Sequence, residues 1–557
     1  MKAFTDLYLA LDASTSTLAK LQALKRHLSQ VAPRDAAWTA YLLAGGRPRR
    51  AVPTAELRAL ACEAAGLPDW LFEAGYAATG DLAEAIAYVL PAPTAQHSGN
   101  LADWMEDRIA PLRALDPVAR AIRVRDAWAG LTPAARFLYV KLVAGGFRVG
   151  VSRGLVQRAL AELHELPPAL VAQRMMGYTE AARPPSAAAY LEITAAPSPE
   201  GTGPRGGQPY PFFLAHPLTA GPEALGDLSD WIAEWKYDGI RAQVVKRESQ
   251  VWIWSRGEEL VTERFPEVAA QAAHWPDGTV VDGELLTWMP NAPNPAPFAL
   301  LQKRIGRTKP SKAILAEAPV RLLAFDLLEN GGEDVRSQPL HLRRARLDAL
   351  GIPASLALTA SDWTGLAALR AQARTHRMEG LMLKHCNSPY GLGRTGSGKT
   401  AWWKWKLAPL SVDAVLVYAQ AGHGRRANLF TDYSFAVWSR PPIDAAEANA
   451  ALETSPPGDL QLVSFAKAYS GLSDEEIRRV DKLVRQTTLE KFGPVRRVRP
   501  TLVFELGFEG LQASNRHKSG IAVRFPRMLR IRDDKPLYEA DSIATLRALM
   551  EAPDAGG

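Results

Sequence analysis

The residues best suited to chemistry stand together in Glu234-Trp-Lys-Tyr-Asp-Gly-Ile-Arg241, where Lys236, Asp238, Gly239 and Arg241 form a KxDGxR pattern. A lysine near the end of a strand can point its amine into a pocket, and the following glycine permits a tight turn close to a bound group. The amine attacks only when neutral, and a free lysine, with a pKa of about 10.4, is almost wholly protonated at pH 7. Burial or neighbouring cations, a metal included, must lower that value if Lys236 is to be a nucleophile. A charged strand edge leading into a turn would use the same letters, and chance supplies the pattern in on the order of one chain in a hundred. Alone it leaves both readings open.

Further groups follow in order. Ser255-Arg256-Gly257 closes the next strand-like run, and Val280–Leu286 sets Asp282 and Glu284 on one face by its period of two. Phe325 lies in Leu323-Ala-Phe-Asp-Leu327, and Glu379-Gly-Leu-Met-Leu-Lys384 comes after it. Trp402-Trp-Lys-Trp-Lys406 puts Lys404 and Lys406 on one face and Trp403 and Trp405 on the other. Arg524-Phe-Pro-Arg-Met-Leu-Arg-Ile-Arg-Asp-Asp-Lys535 completes the series.

This ordered series resembles the nucleotidyl-lysine superfamily of ATP-dependent DNA ligases, RNA ligases and capping enzymes. The resemblance implies an attack by Lys236 on the α-phosphorus of ATP, transfer of AMP to the 5′-phosphate of a nick, and sealing by the 3′-hydroxyl. It implies that Glu234 accepts a hydrogen bond from adenine and Phe325 stacks on it. Arg241 and Arg256 would hold the ribose or the nick phosphate, Asp238 would support the later steps, and Lys384, Lys404 and Lys406 would surround the α-phosphate as fixed charges. Glu284 and Glu379 would contact the ribose or a divalent metal, Mg²⁺ or alternatively Mn²⁺. Arg524, Arg527 and Lys535 would orient the pyrophosphate, while Arg148, Arg256, Arg530 and Arg532 are expected on DNA. A hinge is expected near Leu407–Asp413.

The elements that must position these groups change along the chain. Up to about Glu192 the pattern is helical: Leu18, Leu21, Leu24 and Leu28 recur behind a capping cluster at 14–17, and further helices are expected at Ala55–Ala65, Asp81–Leu90, Val118–Ala129 and Gly154–Leu166. No internal repeat is evident. Ala195–Pro211 reads as a Pro/Gly linker. Strands then alternate with helices at Pro339–Leu350 and Trp363–Arg377. Beyond Pro409 short strands surround a helix capped at Ser473, a pattern that suggests a small closed barrel. The expected fold is therefore multidomain: an all-α DNA-binding domain (1–205), an α+β, ATP-grasp-like adenylyltransferase core (206–408) and a C-terminal OB-fold barrel (409–557).

Composition narrows the class. The chain has 557 residues, 47% hydrophobic and 22% charged, with net charge +7 and two cysteines. Two cysteines cannot build the four-cysteine zinc module of NAD-dependent ligases. A capping enzyme would not be expected to carry a long helical N-terminal region, and Gly75–Ala83 and Phe137–Val151 resemble the DNA-binding domain of larger ligases. An RNA ligase or capping-type enzyme is the alternative. Bacterial ligases of the ligase B type are the nearest resemblance, implying a cytoplasmic, nucleoid-associated monomer that clamps nicked duplex DNA. Between Lys491 and Lys535 eleven lysines and arginines face four acids, which fits backbone phosphate contact. No apolar run is long enough for a membrane span.

Gly393-Arg-Thr-Gly-Ser-Gly-Lys-Thr400 matches the P-loop expression in every fixed position. A P-loop needs a strand before it and a helix opening at its lysine, whereas AWWKWK after Thr400 alternates like a strand. The expectation is a polar loop beside the nucleotide or DNA.

Overall fold

A computed structural model describes all residues except 15, 80, 148, 181–183, 197–205, 423–428, 455–457, 493–494, 516 and 552–557. The chain forms two compact units, one made of 1–51, 98–116 and 141–407, the other of 52–97, 117–140 and 408–557. The crossing between Leu407 and Ala408 lies in the segment expected to act as a hinge.

Up to residue 196 the described regular elements are helices. Ser16 caps the Thr17–Gln30 helix by accepting from the Ala19 amide, and Asp81 caps Leu82–Val89 through the Ala83 and Glu84 amides. Two helices, Pro33–Leu43 and Pro133–Val143, end in the same turn, although the sequence shows no evident repeat. Gly46 N–H bonds to Tyr41 O at 2.8 Å and Gly146 N–H to Lys141 O at 3.0 Å, the return bonds of a Schellman ending. The two turns lie side by side, joined by Ala51 N–H to Val143 O at 2.8 Å. A Gly-Gly pair is too short to register as a repeat; packing makes the similarity visible.

From His216 to Lys406 two five-stranded sheets form. The first runs, in spatial order, His216–Pro217, Trp402–Lys406, Gly380–His385, Trp231–Trp235, Ala357–Leu358. The second runs Gln250–Ser255, Ile240–Arg247, Thr279–Thr287, Val320–Asn330, Glu333–Asp334. Tyr210, Phe213, Val245, Trp254, Val280, Leu328, Tyr390 and Trp402 pack as one buried cluster, with Phe325 and Met382 partly buried against it. The Leu340–Ala349 helix matches expectation, whereas the helix beginning at Trp363 ends at Ala371, well short of Arg377.

In the second unit, Leu410–Ala421 pairs antiparallel with Phe430–Trp438 along one edge. On its other edge it meets Val503–Phe508 and then Val495–Val498. The Asp474–Thr487 helix opens with the expected reciprocal cap, Ser473 N–H to Glu476 Oε2 at 2.7 Å and Glu476 N–H to Ser473 Oγ at 3.3 Å. Among the described residues no helix is long and apolar enough to cross a membrane.

Candidate active site

Lys236 follows directly on the Trp231–Trp235 strand, and its backbone is pinned on both sides: Lys236 N–H to Gly380 O and Glu379 N–H to Lys236 O, each 2.8 Å. This brings the Lys236 ammonium to 2.5 Å from Glu379 Oε2, which Lys406 Nζ also approaches at 3.1 Å. Burial raises the Glu379 pKa, but Lys236 and Lys406 outweigh it and hold the carboxyl at about 2. Burial, then the charges of Lys406, Arg394, Lys236 and Arg256, keep Lys404 below the usual lysine range. Among the described residues, Arg256, Arg394 and Lys404 have no acidic partner. The pocket thus holds more positive charge than it neutralises, the condition for receiving a polyphosphate.

Asp238 lies half-buried in the turn after Lys236. Gly239, expected to permit a tight turn, does not have a positive φ. A Cβ there would instead stand 2.4 Å from Leu285 O, so the glycine permits close approach of two strands.

Arg241 forms a two-pronged pair with Asp282, Nε to Oδ1 at 3.1 Å and Nη2 to Oδ2 at 2.7 Å. Tyr390 OH donates to the same Oδ2 at 2.6 Å. Asp282 is fully buried and serves to orient Arg241. Glu284, two residues on, keeps some accessible surface but sits among charges, and burial pushes its carboxyl up to about 8 against the pull of Lys236 and Arg241.

At the other end of the cleft Glu234 is buried, with Lys384 Nζ 2.6 Å from Oε2 and Arg344 Nη1 bonded to Oε1. Lys384 Nζ stands 4.4 Å from the centre of the Phe325 ring and 4.3 Å from that of Trp402. Here the structure sets Lys384 beside the acid and the aromatic rings. Arg343 and Arg344, adjacent on one helix, hold Asp326 and Glu234, the first pair at 2.7 and 2.9 Å. Arg343, Arg344, Tyr390, Arg394 and Met382 were not singled out from sequence. A double arginine within helical Leu-His-Leu-Arg-Arg-Ala-Arg reads as a solvated face, and only its burial distinguishes it.

The polar Gly393–Thr400 loop is as expected. A short turn, Gly398–Thr400, leads into the Trp402–Lys406 strand, and Lys399 pairs with Asp230 at 2.9 Å.

The remaining site residues lie in the second unit or outside the described set. Arg524 and Arg527 flank the Phe525-Pro526 turn, and Arg530 pairs with Glu505 at 2.6 Å. Arg532 reaches Asp413 at 2.9 Å and Asp534 at 2.8 Å, and Lys535 reaches Asp413 at 2.7 Å. Arg148 lies outside the described residues, but Arg47, Arg49 and Arg50 are exposed on the neighbouring Gly-Gly turn.

A lysine beside a carboxylate, among cations without acidic partners among the described residues, is an arrangement suited to binding phosphate. Family models match three segments of the chain: the ATP dependent DNA ligase domain at 212–406, the DNA ligase N terminus at 1–161, and the ATP dependent DNA ligase C terminal region at 450–535. A probable DNA ligase of Koribacter versatilis is 32% identical over 513 residues, spanning 86% of this chain and 83% of that one. A DNA ligase of Haloferax volcanii is 33% identical, over 75% and 73% of the two chains. The solved structure Pmar-Lig_Pre shares the fold with a TM-score of 0.59 at 15% identity, across 95% of this chain and 99% of that one. The chain belongs to the ATP-dependent DNA ligase family. Its activity is that family's, the ATP-driven sealing of nicks in DNA.

Proposed function

We propose that Lys236 is the nucleophile of this ligase and that the cleft between the two sheets is its adenylate site. The observation that carries this reading is the Lys236–Glu379 pair set among Arg256, Arg394 and Lys404, cations without acidic partners among the described residues. Lys236 Nζ, once deprotonated, attacks the α-phosphorus of ATP; a P–N bond forms and pyrophosphate leaves. A 5′-phosphate oxygen at the nick then displaces the lysine, and the 3′-hydroxyl displaces AMP to close the strand. Lys404, Lys406, Arg256 and Arg394 neutralise phosphate charge during these displacements. Arg241, fixed by Asp282, holds the ribose or the nick phosphate, and Asp238 supports the later steps. Glu234 accepts from the adenine amine, Phe325 stacks on the ring, and Lys384 pairs with Glu234 at 2.6 Å.

Glu284 and Glu379 are the residues that would hold a divalent cation. The donor set fits: both are carboxylates, hard oxygen ligands, and Glu284, raised to about 8 by burial, is the one still short of positive charge, since Glu379 already faces Lys236 and Lys406. Among the described residues no cluster of three or more ligating side chains occurs, so phosphate oxygens and water would complete the shell. The ion would supply charge neutralisation at the phosphates.

The reading extends to the whole chain as a helical DNA-binding domain at 1–205, an adenylation domain at 206–408 and an OB-fold barrel at 409–557, a monomer closing as a clamp on nicked duplex. The paired Gly-Gly turns, with Arg47, Arg49, Arg50 and Arg148, lie against the minor groove, and Arg530 joins the backbone contacts. Arg524, Arg527 and Lys535 orient pyrophosphate. Lys535 and Arg532, the latter a DNA contact, act only after exchanging Asp413 for phosphate.

Incubation with α-labelled ATP and Mg²⁺, then denaturing electrophoresis and a chase with nicked duplex, tests the reading. Label on the protein that chases into sealed strand and free AMP supports it. Label that passes only to RNA ends would replace the substrate, and no label with ATP would end the proposal.

A further inference from the structure

Arg344 has no part in the chemistry described above, yet it spends its guanidinium inside the cleft wall. Nη1 bonds to Glu234 Oε1 and, at 3.4 Å, to Phe325 O; Nη2 reaches Ser355 O at 2.5 Å. One side chain therefore joins the acid that faces the base and the backbone of the residue that stacks on it. The Glu234 carboxylate is gripped from both ends, by Arg344 on Oε1 and by Lys384 on Oε2 at 2.6 Å, with Glu234 and Lys384 both buried. With Arg344 removed, Glu234 would keep a single cation on one oxygen, and the carboxylate plane would be free to turn about its last torsion. The Phe325 carbonyl would keep the Lys384 Nζ contact, at 3.4 Å, and lose the guanidinium.

We infer that Arg344 is a positioning residue for purine selectivity: by fixing the plane of the Glu234 carboxylate against Phe325, it makes the site read a 6-amino group. The reasoning rests on the adenine-binding reading of Glu234. An ionised carboxylate accepts from an exocyclic amine and repels a carbonyl oxygen at the same place, so its orientation sets discrimination between adenine and hypoxanthine or guanine. A buried acceptor rejects a partner lacking the donor only if it cannot swing to another one. Two cations on opposite oxygens provide that restraint, and a guanidinium, with its planar fork, restrains the plane better than an ammonium.

The test is a chemical double-mutant cycle in the full-length protein, using self-adenylylation rate against concentration for ATP and for purine riboside triphosphate, which lacks the amine. Wild-type protein is expected to favour ATP by about tenfold or more in kcat/KM, the scale of a charge-assisted hydrogen bond. In Arg344→Gln the preference shrinks towards unity, chiefly through a higher KM for ATP, while Arg344→Lys recovers part of it. Thermal melting and the Kd for nicked DNA are measured on each variant. A preference unchanged in Arg344→Gln, even with a lower Tm or kcat, would overturn the inference, since that is the signature of a purely structural salt bridge. A wild-type protein that does not distinguish the two nucleotides would instead remove the adenine role of Glu234, and one that takes up no nucleotide would remove the nucleophile assignment.

Discussion

As the proposed nucleophile, Lys236 faces two opposed demands: it must be held in place by an acid and yet surrender its proton to attack. Glu379 meets the first, since a carboxylate held at about 2 stays ionised through the neutral range and keeps the ammonium oriented. Replacing Lys236 with alanine is expected to abolish label uptake from ATP while leaving nicked-DNA binding within about twofold, because DNA affinity rests on many phosphate contacts; electrophoresis and a gel-shift titration check both. Glu284 gives a pH prediction. Its folded-state pKa is about 8, above the ordinary value of a free carboxyl, so the folded chain holds a proton that the unfolded chain has lost. Stability contributed by this group is therefore full below pH 4.5 or so and declines as pH rises towards about 8. In chelator, Glu284→Gln should melt at the same temperature as wild type near pH 5 and a few degrees higher near pH 8. Equal shifts at both pH values would refute the assignment. That these residues share one site was legible beforehand, because Lys236, Glu284 and Glu379 belong to short motifs that resemble a family's ordered series. Arg344 was not, since its partner Glu234 lies 110 positions away.

At the scale of elements, the site depends on two edges meeting at Gly380. Its φ is +133°, and a Cβ on it would stand 2.4 Å from Trp405 O and 2.8 Å from Lys406 Cα. The same residue accepts the Lys236 N–H and follows Glu379, so any shift there moves Lys236 and Glu379 together. Gly380→Ala is expected to cost on the order of 1–3 kcal/mol of stability and to slow self-adenylylation at least tenfold, a larger loss than the altered Tm alone would explain. A variant with normal adenylylation and reduced Tm would show that the Lys236–Glu379 alignment tolerates movement. The strand-like run read at Val280–Leu286 matches Thr279–Thr287 within a residue, because it is bounded by turn residues and is largely apolar. The helix from Trp363 was overextended to Arg377, since the 372–377 segment has no feature in its composition that stops a helix. The register that sets Trp402 opposite Lys384 and Lys404 opposite Met382 came only from pairing two strands distant in sequence.

For the whole molecule, the net charge of +7 and the cations at 47–50 and 491–535 predict DNA binding that weakens steeply with salt. If six to ten phosphates are contacted, affinity for nicked duplex should fall by about 10³–10⁵ between roughly 50 and 200 mM salt; fluorescence anisotropy across that range checks it, and a flat response would exclude a backbone clamp. The sequence by itself determined the order of motifs, whose resemblance pointed to the family, and the helical-then-β division, because each is carried by residues close together in the chain. Tertiary structure alone decided that Lys384 stands with Glu234 and Phe325, that Arg344 closes that acid from behind, that Arg532 and Lys535 share Asp413, and that two distant Gly-Gly turns lie side by side. The reason is physical. A buried charge must find its counter-charge wherever the fold brings one, and sequence separation places no limit on where that is.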